Sequence, residues 1–77
     1  MTGPQLNTLI QKAIKKGDGV GKQGSTFYAA KNGRLVFFYE GGNVFQFSHG
    51  FLVKIGPCES WNAEKELKRM LKEESNE

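Results

Sequence analysis

Cysteine and histidine are almost absent from this 77-residue chain, which holds Cys58 and His49 and no others. One cysteine cannot close an internal disulfide, so a core must hold the fold, and the pattern fits a reducing compartment. One of each also leaves no clustered set for a four-ligand zinc site, so no metal or other cofactor is expected. Nucleophilic catalysis needs a nucleophile, a base and a group that orients the base. His49 falls in an expected turn and Cys58 beside a proline, so no catalytic residue is assigned and the chain is read as a non-enzyme. No apolar run nears the roughly 20 residues that span a bilayer. The opening MTGPQLNTLIQKAIKKG lacks the segments of a signal peptide. The expectation is a cytoplasmic protein with no membrane partner.

Acidic residues are scarce in the first half. Lys12, Lys15, Lys16, Lys22, Lys31 and Arg34 face Asp18 alone over residues 1–34, whereas acids outnumber bases from Pro57 onward. The formal net charge of +3 is therefore unevenly spread. A basic half of this kind suits phosphate or an acidic protein surface, and equally suits ordinary solubilising charge.

The chain is short enough for only one hydrophobic core, so residues 1–77 are read as a single small domain. Leu6, Leu9, Ile10, Ala13 and Ile14 recur with helical period, and Thr2-Gly3-Pro4-Gln5 reads as a capping box ahead of them. Lys15, Lys16 and Gly17 close that helix. Residues 17–24, GDGVGKQG, are half glycine and are expected to form a flexible loop. Short apolar runs follow at 25–30, 34–40, 43–48 and 51–55, separated by Asn32-Gly33, Gly41-Gly42 and His49-Gly50. They predict an antiparallel meander of three to four strands. After Gly56-Pro57, Ser60 or Asn62 can cap a last helix bearing Ala63, Leu67, Met70 and Leu71, with Trp61 packed at its entrance and residues 74–77 frayed. The fold class is α+β: helix, meander, helix, simplest as a two-layer sandwich with both helices on one sheet face.

The strand RLVFFYE complicates that simple placement. Alternation puts Leu35, Phe37 and Tyr39 on one side and Val36 and Phe38 on the other, so both faces are apolar, where a half-covered sheet should be polar on one. Covering Val36 and Phe38 takes a helix on each face, a homodimer partner or a ligand.

Gly19-Val20-Gly21-Lys22-Gln23-Gly24 matches the spacing of a dinucleotide loop, but it follows a helix and precedes a strand, the reverse of what that site needs. A phosphate-binding P-loop fails too, with Gln23 in place of the Ser or Thr that holds magnesium. Exposed amides beside the lysines still suit an anion nest. NVFQFSHG resembles the second RNA-binding motif of cold-shock proteins, which are all-β and lack these helices. The helix–meander–helix order is similar to double-stranded-RNA-binding domains, yet Asn62–Lys65 lacks their lysine-rich helix start. Neither likeness reaches beyond the fold.

Two readings stand. In the first, the chain is a small protein-binding module or inhibitor of the accessory kind that phages and mobile elements carry. It docks on a host or nucleic-acid-handling protein through a hydrophobic sheet face, with Tyr28, Val36, Phe38 and Phe45 as its binding residues, or through a strand edge. In the alternative, Lys15, Lys16, Lys22, Lys31 and Arg34 hold nucleic-acid phosphates or an acidic partner, and Tyr28 and Phe38 stack on bases.

Overall fold

The structure, a computed structural model, describes the backbone of residues 3–48 and 50–75 and the side chains of 5–48 and 50–73. The Thr2 cap, His49 and residues 76–77 lie outside the described residues. Helix α1 (Gly3–Lys16) leads into five strands: β1 (Gly19–Gln23), β2 (Thr26–Lys31), β3 (Arg34–Glu40), β4 (Asn43–Ser48) and β5 (Phe51–Pro57). A single 3₁₀ turn (Ser60–Asn62) then opens helix α2 (Ala63–Ser75). All neighbouring strands pair antiparallel in the order β1-β2-β3-β4-β5, so the helix–meander–helix order expected from the sequence holds with one strand more.

The additional strand is β1, formed by the glycine-rich run that was expected to be a loop. Gly21 lies opposite Tyr28, and a Cβ at that position would overlap the Tyr28 phenol. The ring covers the backbone that glycine leaves bare, so here glycine makes the strand possible. At the other end of the hairpin joining β2 and β3, Asn32 and Gly33 both adopt positive φ, 55° and 73°, the geometry that makes Asn-Gly a preferred two-residue turn.

The two helices lie on opposite faces of the sheet, not on one. Leu9 and Ala13 of α1 bury Tyr28, Ala30, Leu35 and Phe38, with Phe45 and Phe47 packed alongside. Ala63 and Leu67 of α2 bury Ala29, Phe37, Tyr39 and Val44, with Val36 against them. Directly paired residues share a face, so Tyr28, Phe38 and Phe45 form one row and Phe27, Tyr39 and Val44 another. Two apolar faces on β2 and β3 demand two covers, and each helix supplies one. Ala29 and Ala30, both buried, are small enough for a helix to approach β2 from either side.

A β-bulge corrects the side-chain assignment along β3. Ala29 pairs with Phe37 but Ala30 pairs with Leu35, leaving Val36 without a partner. One extra residue reverses the alternation beyond it. Leu35 therefore joins Phe38 beneath α1, and Val36 joins Phe37 and Tyr39 on the α2 side. A second bulge sits in β5, where Val44 pairs with Gly56 and Phe45 with Lys54, so Ile55 is the extra residue.

Candidate interaction surfaces

The aromatic residues expected to make contacts are mostly core. Phe38 is 1% exposed and stacks on Phe45, with ring centroids 5.1 Å apart, and Tyr28 is buried as well. Phe45 is half-buried and Val36 packs on the α2-side cluster. Neither Tyr28 nor Phe38 can stack on a base or meet a partner without unfolding its layer. The chain itself covers Phe38, beneath α1, and packs Val36 against the α2-side cluster, where it stays half-buried.

The uncovered part of the sheet lies elsewhere. Both helices lie over β1, β2 and β3, and among the described residues neither packs extensively on β5. On that edge strand Phe51 is 72% exposed, Leu52 47%, Val53 53% and Ile55 49%. Cross-strand pairing puts Phe51 and Val53 on the α2 face, opposite Ser48 and Gln46, and Leu52 and Lys54 on the α1 face, opposite Phe47 and Phe45. Large apolar side chains thus project from both faces of a strand whose outer edge has no neighbour in the sheet. An apolar edge of this kind is a template for pairing with another chain. The uninterrupted Phe51-Leu52-Val53 showed in the sequence that the strand is apolar on both faces, but not that it lies at a bare edge. Trp61, expected to pack at the entrance to α2, is 81% exposed instead.

Beside β5 an open groove of about 750 Å³ runs between the sheet and α2, bordered by Tyr39, Val44, Ile55, Cys58, Arg69 and Met70. Arg69 on its wall is already paired: Nη2 donates to Glu66 Oε1 at 2.8 Å, and Nη1 to Glu73 Oε1 at 2.7 Å. The bond from Arg69 holds the Glu66 carboxyl below the ordinary glutamate value. Burial, and then the carboxylates of Glu66 and Glu59, push the Cys58 thiol up, so little thiolate exists near neutral pH. Among the described residues no group of three or more His, Cys, Asp or Glu could hold a metal ion.

The expected basic set divides. Lys31 and Arg34 pair across the mouth of the β2–β3 hairpin, and the Lys16 side chain passes near Gly19 at the same end of the sheet, its Cε 3.5 Å from where a Cβ on Gly19 would stand. Lys15 is exposed in the last turn of α1. Lys22 lies at the opposite end of β1, with its ammonium 5.6 Å from the centre of the Phe27 ring. Lys68 and Lys72 of α2, which sequence reasoning left out, line a depression with Lys31 and Asp18. Their spacing of four along one helix was visible; their meeting with the hairpin was not.

No helix among the described residues is long and apolar enough to cross a membrane. The chain matches no protein family, no curated protein and no solved structure.

Proposed function

We propose that this chain is a small non-enzymatic protein-binding module, of the inhibitor or accessory kind, that docks through β5. One observation carries the reading: four large apolar side chains stand about half or more exposed within five residues of an unpaired edge strand. The occupant is an extended segment of another protein that adds as a sixth strand. Main-chain hydrogen bonds supply affinity in that mode, and alternate side chains supply specificity. Phe51 and Val53 ask for apolar residues on the α2 side. Lys54, opposite Phe45 on the other face, asks for a carboxylate.

The test is capture by the immobilised chain after nuclease treatment and at raised salt, followed by reconstitution with the purified protein recovered. Support is a single protein whose affinity falls at least about tenfold with Val53→Asp, a change at an exposed position, while the circular dichroism spectrum is retained. Capture indifferent to Val53→Asp sinks the reading. Sedimentation of the purified chain checks for a second copy on the same edge. A dimer dissolved by Val53→Asp would assign β5 to self-pairing and remove it from the hetero-partner reading.

A further inference from the structure

The end of the molecule that carries the β2–β3 hairpin is built differently from the rest of its surface. Two hydrogen bonds staple the hairpin tip to the α1–β1 turn: Gly33 N–H donates to the Gly17 carbonyl at 2.8 Å, and Asn32 N–H to Asp18 Oδ1 at 3.1 Å. The tip is therefore held in place, and Asp18, the lone acid of the N-terminal half, already accepts a hydrogen bond. Around this staple three separate segments converge. The hairpin brings Lys31 and Arg34, α1 brings Lys16, and α2 brings Lys68 and Lys72. Lys31, Lys68 and Lys72 border one depression of about 300 Å³, and Lys31 and Arg34 border its neighbour. Glu64 reaches Lys68 at 3.5 Å, but both side chains are largely exposed and such a pair is readily exchanged for another anion.

The geometry points to this end as a binding surface for the phosphodiester backbone of nucleic acid, read without base stacking. Cations spread over two adjacent depressions match a row of phosphates better than a single small anion. A protein interface would need a broad apolar centre, and here the apolar side chains bordering the two depressions are Ala30, which is buried, and Leu71 and Val36, which are half-buried. Tyr28 and Phe38 are buried, and among the described residues no aromatic side chain borders either depression, so none is placed here to stack on a base. Contacts confined to phosphates fix position but carry no sequence information. This surface differs from β5 in both residues and chemistry, so the two proposals stand or fall separately.

Fluorescence anisotropy of the full chain with a labelled 20-base-pair DNA duplex, titrated over a range of salt, tests it. Five phosphate contacts would give a log–log salt slope of about −4 to −5. Lys31→Glu should weaken binding at least about tenfold and flatten the slope by about one unit per lost contact. The double change Lys68→Ala and Lys72→Ala should do likewise, although both lie outside the basic N-terminal half. Lys22→Glu alters net charge as Lys31→Glu does, but at the far end of β1, and should change affinity less than about threefold. Equal effects of Lys22→Glu and Lys31→Glu would overturn the assignment, as diffuse charge would explain them. So would the absence of duplex binding at low salt, or binding to poly-glutamate of equal charge but not to the oligonucleotide. A change of base sequence should leave affinity unaltered, and strong sequence dependence would also overturn it.

Discussion

Replacing Gly21 with Ala probes how the glycine-rich segment becomes a strand. The added Cβ would fall on the outer end of the Tyr28 ring, overlapping Oη, Cζ and Cε2. Tyr28 is buried against α1 and has little room to retreat. Forcing extra carbon into a packed site costs about 1–3 kcal/mol. Replacing glycine in a strand returns about 0.5–1 kcal/mol through backbone entropy. The net expectation is a loss of up to about 2.5 kcal/mol, read in urea as a lowered midpoint with unchanged slope. The clash resides in the far end of one ring, so it should vanish in a Tyr28→Leu background. There Gly21→Ala should be neutral or mildly stabilising, which gives the double-mutant cycle a coupling of about 1–3 kcal/mol. Equal losses in both backgrounds would refute the packing of Tyr28 over Gly21.

Other consequences are open to measurement. Leu67→Ala, at a fully buried position on the sheet-facing side of α2, should cost about 2–5 kcal/mol in the same denaturation assay. Glu66 should titrate below the ordinary glutamate value by carboxyl NMR, and Arg69→Ala should return it upward. Because its folded value is depressed, its contribution is present above the unfolded value and fades as pH falls through the folded one. Cys58 should react with a disulfide reagent near pH 8 more slowly than free cysteine, and Glu66→Gln should speed it. Trp61 fluorescence in the native state should be quenched by acrylamide nearly as readily as in urea, since its side chain is exposed. A strongly protected tryptophan would contradict that placement.

Much of the fold was legible because its signals are local. The 3.6-residue stripe from Leu6 to Ile14, the Asn32-Gly33 turn and the repeated short apolar runs each depend on neighbours in the chain. The apolar character of both faces around Val36 and Phe38 also showed that one cover would not suffice. The rest depended on partners distant in sequence. Gly19–Gln23 is a strand because Tyr28 lies across from Gly21, a pairing that glycine content alone does not disclose. Leu35 and Val36 exchanged faces through a bulge, where a single unmatched residue outweighs simple alternation.

The candidate surfaces divide along the same line. An apolar run such as Phe51-Leu52-Val53 reads identically in a buried strand and in a bare edge. Sequence alone determined the strand; the reach of two helices across β1 to β3 decided that it is bare. Likewise the sequence established where the positive charges are along the chain, including the lysines four apart in α2. Only the stapled hairpin, brought beside α2 by the sheet, set Lys31 and Arg34 next to Lys68 and Lys72 and left Lys22 at the other end. Local chemistry specifies elements, whereas which side chains share a surface is decided by how far each element extends and what it meets.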